Sequence, residues 1–168
     1  MAAGQHRFDI HRLGPKFNIG SLVPDRLGHV DVLLVEDNPD YIELALHAFK
    51  QHNFANHVHV CRDGVEAIEY LYGEGAPIVM PKLILLDFKM PRRNGLEVLE
   101  RVRAEETTKR VPVIMLTASD EEPDMARSYD LGANSYIVKP VDFGKFSEVF
   151  LQLGLYWLLL NRIPGEKP

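Results

Sequence analysis

The chain has 168 residues, 46% hydrophobic and 26% charged, which fits one domain with tails and is long enough to bury a core. A net charge of −5 leaves no basic surplus for nucleic-acid binding, and the single cysteine, Cys61, excludes an intramolecular disulfide framework and points to a reducing cytoplasm. Met1–Ile10 lack the apolar stretch of a secretory signal, and Leu155–Leu160 falls well short of the roughly 20 residues a bilayer requires, so a soluble, cytoplasmic protein with no membrane partner is expected.

Residues 1–29 carry Gly4, Gly14, Pro15, Gly20, Pro24 and Gly28 among scattered basic residues without a sustained period, and read as an N-terminal extension. From Val30 onward, short apolar runs alternate with helical patterns. Val30–Val35 reads as a buried strand. Asn38 and Pro39 supply an N-cap and a first helical position, and Ile42, Ala45, Leu46 and Phe49 then share one helix face. His57–Cys61 is a second strand, and Asp63 with Glu66 resembles a capping pair opening a helix through Leu71. A glycine- and proline-bearing loop leads to the strand Leu83–Leu86, and Leu96, Val98, Leu99 and Val102 mark the next helix. Val113–Leu116 is a fourth strand, Ser119-x-x-Glu122 reads as a capping box for a helix that stops at Gly132, and Tyr136–Val138 is a fifth strand. A last helix is expected from about Asp142 to Asn161, with a possible break at Gly154. Five strand–helix alternations of nearly continuous apolar strands predict an α/β fold, a parallel sheet with helices on both faces.

In such a sheet, ligands bind beyond the carboxyl ends of the strands. Glu36 and Asp37 follow strand one, Asp87 ends strand three, Thr117 follows strand four, and Lys139 and Pro140 follow strand five. Three convergent carboxylates repel one another and raise their pKa values, a penalty that a hard divalent cation such as Mg²⁺ removes. An aspartate can act as a covalent acceptor, and phosphoryl transfer asks the protein mainly for alignment and positive charge. Lys139 and a cation bring that charge, and Thr117 brings a hydroxyl donor.

Glu36-Asp37, Asp87 within Leu-Asp-Phe-Lys-Met-Pro, Met115-Leu-Thr-Ala118 and Val138-Lys-Pro140 resemble the receiver domain of two-component response regulators, over roughly residues 30–155 and within a domain bounded at 30–162, with 163–168 as a tail. The resemblance implies a flavodoxin-like, doubly wound (βα)5 fold with a five-stranded parallel sheet of order 2-1-3-4-5. It implies that Asp87 is the phosphoacceptor and that Asp37 and Asp87 are direct Mg²⁺ ligands. Glu36 would act through water, and the Lys89 backbone carbonyl would complete the protein ligands. Thr117 and Tyr136 take the switch positions, Lys139 pairs the phosphoryl group, Ala118 leaves room for the Thr117 motion, and the Lys139–Pro140 bond is expected to be cis. The side chains of Lys89 and Ser119 are expected to tune dephosphorylation. On this reading the chain is no enzyme beyond its own Mg²⁺-dependent phosphorylation and autodephosphorylation.

The last helix carries Phe143, Phe146, Phe150, Leu153, Trp157 and Leu160 at heptad spacing, with Leu151, Leu155, Leu158 and Leu159 on another face. Two apolar faces predict either a partner or cover by the N-terminal extension; a homodimer through helix four, strand five and helix five is the favoured expectation, with Phe143, Phe146, Phe150, Leu155, Trp157 and Leu159 at the interface. The long loop Tyr72–Pro81, the Asn38-Pro-Asp-Tyr helix start and the Tyr156-Trp157-Leu158 ending are similar to those of single-domain regulators paired with phytochrome histidine kinases. Signalling would then run through protein–protein contacts. Service as a phosphoryl carrier or sink, or as a phosphorylation-independent interaction module, are the alternatives. A phosphatase of the haloacid dehalogenase kind would need an acid two residues after Asp87, where Lys89 stands. A flavin mononucleotide binder would need a phosphate-cradling loop after strand one, where Glu36 and Asp37 stand. His52, His57 and His59 cluster near strand two without a matching carboxylate and read as packed or solvated side chains.

Overall fold

The computed structural model describes residues 30–51, 57–118 and 120–164. The expectations for residues 1–29, His52 and Ser119 therefore lie outside the described residues. Five strands, β1 (Val32–Val35), β2 (Val58–Cys61), β3 (Leu83–Asp87), β4 (Val113–Thr117) and β5 (Ser135–Val138), alternate with α1 (Pro39–Gln51), α2 (Gly64–Tyr72), α3 (Gly95–Ala104), α4 (Glu122–Asp130) and α5 (Phe143–Gly154). All neighbouring strands pair in parallel in the order β2-β1-β3-β4-β5, the expected doubly wound sheet.

The period of two along each strand divides the core into two layers. Val32, Leu34, Leu83, Leu85, Ile114 and Leu116 point to the α1–α5 side, where they meet Ala45, Phe49, Phe146 and Phe150. Leu33, Val35, Ile84, Leu86, Val113 and Met115 point to the α2–α3 side, where they meet Ala67, Leu71, Leu99 and Val102. Both faces are covered, which is why the three central strands are apolar at nearly every position.

Local signals start and stop the helices. Asn38 accepts the Asp40 N–H at 2.9 Å ahead of Pro39, and Asp63 accepts the N–H groups of Val65 and Glu66 at 2.8 and 2.9 Å. Asn94 and Glu97 form a reciprocal capping box at the start of α3. α4 departs from expectation: its N-cap is Glu121, which makes no side-chain cap, and Pro123 in the first turn sets the start instead. Gly132, at φ +96°, takes the left-handed turn that ends the α4 region.

α5 also departs from a single continuous helix. After Gly154 the chain continues as a π-helical turn over Leu155–Leu160, closed by the Asn161 N–H donating to the Tyr156 carbonyl at 2.7 Å. The wider turn re-phases the side chains. Leu155 and Leu158 rotate into the core, whereas Leu160, the last member of the heptad stripe, is 59% exposed. Phe146, Phe150 and Leu155, expected at an interface, belong to the chain's own core, because α5 uses that stripe to cover the sheet. Trp157 and Leu159 are half-buried against the same core, and of the expected interface residues only Phe143, 68% exposed, is fully open to a partner. No helix among the described residues is long and apolar enough to cross a membrane.

Candidate functional site

The parallel topology brings the ends of β1, β3, β4 and β5 to one rim. There a cleft of about 420 Å³ is lined by Glu36, Asp37, Asn38, Tyr41, Asp87, Lys89, Thr117, Ala118, Asp120, Glu121 and Lys139. Every residue expected from the sequence at the metal and phosphoryl positions is in this lining. Tyr136 is not; its ring lies half-buried against the α2–α3 core, next in the sheet to Met115.

Backbone contacts fix the positions of Asp87 and Lys139. Asp87 pairs with Leu116 in the ladder, and the chain leaving it turns back so that the Gly95 N–H donates to the Phe88 carbonyl at 2.9 Å. A Cβ at Gly95 would collide with the Asp87 carbonyl, so only glycine permits this approach of α3 to the end of β3. The Lys139 N–H donates to the Thr117 carbonyl at 2.7 Å, which extends the β4–β5 pairing one residue and turns the Lys139 side chain into the cleft. The Lys139–Pro140 bond is trans, contrary to expectation; no cis peptide bond occurs among the described residues, and trans is the ordinary preference of an X–Pro bond.

The electrostatics are those of a crowded acid cluster. One oxygen from each of Glu36, Asp37 and Asp87 lies within 4.8 Å of the others. Glu36 and Asp87 are buried, and Asp37 is exposed at the mouth. The Lys139 ammonium, itself buried, lies 2.5 Å from Glu36 Oε2 and 3.5 Å from Asp87 Oδ1. Glu36 also accepts the Asn38 N–H at 3.1 Å. Burial, then repulsion from Glu36, pushes the Asp87 carboxyl up to about 7 despite the pull of Lys139. One ammonium thus faces three carboxylates.

That donor set fits a hard divalent cation. It offers only oxygen ligands, two of them buried, and burial followed by repulsion from Glu36 raises the Asp87 carboxyl, a penalty that a bound cation would relieve. Thr117 is almost fully buried at the cleft floor, while Ala118 and Lys89 are exposed on its rim.

Sequence reasoning missed some lining residues. Asp120 and Glu121 add acidic groups to the rim from the loop before α4. Tyr41 presents its ring to Lys139, with Nζ 4.2 Å from the centroid. Its signal was a position in the first turn of α1, where side chains lean toward the helix N-terminus and hence toward the cleft. Away from the site, His57 Nδ1 lies 3.2 Å from Asp31 Oδ2 at the opposite end of the sheet, within ion-pair distance but without hydrogen-bond geometry. Burial, with repulsion from Glu66 and Asp63, pushes the Cys61 thiol up to about 12, in keeping with a packed, unreactive side chain.

A strand order of 2-1-3-4-5 with an acidic cleft at its carboxyl rim defines a flavodoxin-like, receiver-type fold. The family model described as the response regulator receiver domain matches residues 32–150, and the chain belongs to that family. Among its relatives is the response regulator Rcp1 of Synechocystis sp., 32% identical over 136 residues that cover 80% of this chain and 92% of Rcp1. A structure of Rcp1 in its Mn²⁺-bound form superposes with a TM-score of 0.73 at 31% identity, covering 80% of this chain and 98% of that one. The phosphorylated cyanobacterial phytochrome response regulator RcpA superposes with a TM-score of 0.76 at 36% identity, covering 82% and 100%. The bacteriophytochrome response regulator AtBRR is 46% identical, with a TM-score of 0.62 over 80% and 99%. The chain is thus a receiver domain related to phytochrome response regulators.

Proposed function

We propose that the chain accepts a phosphoryl group on Asp87 from a sensor histidine kinase of phytochrome type and signals through protein–protein contacts. The observation that carries this reading is the buried Asp87 carboxylate, 3.5 Å from the Lys139 ammonium in a cleft that Glu36, Asp37, Asp120 and Glu121 also line. The relatives described as phytochrome response regulators supply the kinase class.

In the transfer, an Asp87 oxygen attacks the phosphorus of a phosphohistidine. The P–N bond breaks, its electron pair leaves with the imidazole nitrogen, and an acyl phosphate remains on Asp87. Lys139 is placed to pair a phosphoryl oxygen, and the Thr117 hydroxyl to donate to another. Asp37 and Asp87, with Glu36 behind them and the Lys89 carbonyl beside them, would hold Mg²⁺, which supplies the second positive charge for the phosphoryl oxygens. Incubation with a phosphorylated phytochrome-type kinase and Mg²⁺ should label the native chain and leave Asp87→Asn unlabelled; equal labelling of both would overturn the assignment.

Two outcomes follow from the same geometry. Mg²⁺ and the Asp87 proton compete for one carboxylate, so Mg²⁺ affinity is expected to rise with pH through about 7 and to level off above it. Calorimetric titration between pH 6 and 8.5 would show this, and an affinity independent of pH would contradict it. Lys89 is an exposed residue of the cleft lining, where its side chain would shape water access to an acyl phosphate. Lys89→Asn is expected to change the lifetime of the phosphorylated chain, and an unchanged autodephosphorylation rate would remove that role.

A homodimer through α4, β5 and α5 remains the proposed assembly, now resting on exposed Phe143, Val138 and Val141 rather than on the buried members of the stripe. Tyr136 would couple it to the site. Sedimentation of native and Phe143→Ser chains tests it: a dimer that persists unweakened in the variant would exclude this face.

A further inference from the structure

We propose that Tyr41 is a positioning residue for Lys139, its ring face holding the ammonium over the acidic cleft while Phe146 braces the ring from the core side. The proposal rests on the reading that Asp87 accepts a phosphoryl group.

Lys139 Nζ lies 4.2 Å from the Tyr41 ring centroid, close enough for a cation–π contact. Both side chains line the cleft, and Lys139 is buried, so the contact is shielded from bulk water. The ring does not float. Its centroid lies 5.3 Å from that of Phe146, which is 2% exposed and packs in turn on Phe150 at 4.6 Å, with Phe150 edge-on to Phe49 at 5.5 Å. Tyr41 and Phe49 belong to α1, Phe146 and Phe150 to α5, so a row of rings across the α1–α5 seam sets the angle at which Tyr41 meets Lys139.

A neutral partner suits this ammonium for a physical reason. Its present charged partners, Glu36 and Asp87, are the groups that a cation and a phosphoryl group would claim. A third carboxylate would hold Lys139 away from the phosphoryl oxygens. An aromatic face attracts the ammonium while occupying no N–H donor in a directional bond. Lys139 can therefore lose its carboxylate partners, stay in place, and present its donors to the phosphoryl oxygens without a search for a new rotamer.

The experiment uses the full chain as native, Tyr41→Leu and Tyr41→Phe. Proton NMR of Lys139 reports the contact directly. Its ε-methylene protons should be shifted upfield by the ring current in the native chain and in Tyr41→Phe, and should lose that shift in Tyr41→Leu; an unshifted Lys139 in the native chain overturns the proposal without any variant. With acetyl phosphate at saturating Mg²⁺, Tyr41→Leu should be labelled about tenfold more slowly, and Tyr41→Phe, which keeps the face, should recover most of the rate. Equal rates for the two variants, whether both fast or both slow, would also overturn it. Failure of the native chain to be labelled, with the ring-current shift present, would count against the phosphoacceptor reading and leave the Tyr41–Lys139 clamp standing.

Discussion

Lys139→Met is expected to lower the unfolding free energy by about 3 kcal/mol at pH 8 in the absence of divalent cations. The side chain it replaces is buried, 2.5 Å from Glu36 and 3.5 Å from Asp87. Methionine fills a similar volume, so the loss is one of charge rather than of packing. The carboxylates left behind keep no buried cation among the cleft-lining residues, since the remaining lysine there, Lys89, is exposed on the rim. Breaking one side of a buried pair costs more than the pair was worth, because the survivor remains desolvated. Two features separate this from a simple packing defect. Asp87 already takes up a proton near pH 7, held there first by burial and then by Glu36, so the gap between variant and native chain should narrow as pH falls below that value. Saturating Mg²⁺ should restore most of the loss, because binding to the folded state alone adds stability by mass action, and the variant has more uncompensated charge to gain from it. Urea titrations at pH 8 and pH 5.5, with and without Mg²⁺, measure all three terms. A loss that is the same at both pH values and unaffected by Mg²⁺ would mean that Lys139 acts through its methylenes.

How much of this was legible in the sequence depends on what each residue's role required. Glu36, Asp37, Asp87, Thr117 and Lys139 stand at strand ends, and in a parallel sheet every strand end faces the same rim, so order along the chain was enough to place them together. The strands themselves were legible for the same reason: burial on both faces demands unbroken apolar runs. Phe143, Phe146 and Phe150 show where that reasoning stops. They share one heptad stripe, but periodicity says only that they share a face, not how much of the face the sheet occupies. In the fold Phe146 and Phe150 cover β1, β3 and β4, whereas Phe143 projects beyond the sheet. Gly154 signalled a weak point in α5, but whether a helix there breaks or widens depends on what Leu155 and Leu158 can reach, which is a tertiary matter. Tyr41 reads in the sequence as part of a helix start rather than of the site, because a contact between the first turn of α1 and the residue after β5 spans almost a hundred positions and leaves no local pattern.

Asp87→Asn is expected to abolish phosphoryl labelling and, at the same time, to make the metal-free protein more stable. The sign follows from the direction of the shift. The Asp87 carboxyl is raised from 3.8 to about 7 by burial first and Glu36 second, with Lys139 only partly offsetting them. A group whose folded pKa lies above its unfolded value contributes stability that is fully present below the unfolded pKa and is lost as pH rises through the folded one. The ionised carboxylate is therefore a burden above pH 7, and an amide of the same shape does not carry it. At roughly 1.4 kcal/mol per unit, the native chain should gain about 2–4 kcal/mol from the substitution at pH 8. Near pH 4, where the folded native chain keeps Asp87 protonated and the unfolded chain is only half ionised, the two should melt within about 1 kcal/mol of each other. Mg²⁺ should reverse the order at pH 8, stabilising the native chain and leaving the variant nearly unmoved, because the amide offers no charge to the cation. Thermal melts of both chains at pH 4 and pH 8, the latter with and without Mg²⁺, decide the matter. A variant less stable than the native chain at pH 8 without metal would mean that Asp87 is held by compensating donors rather than strained, and the proposed acceptor would then lack the electrostatic tension that exchanging a proton for a cation would relieve.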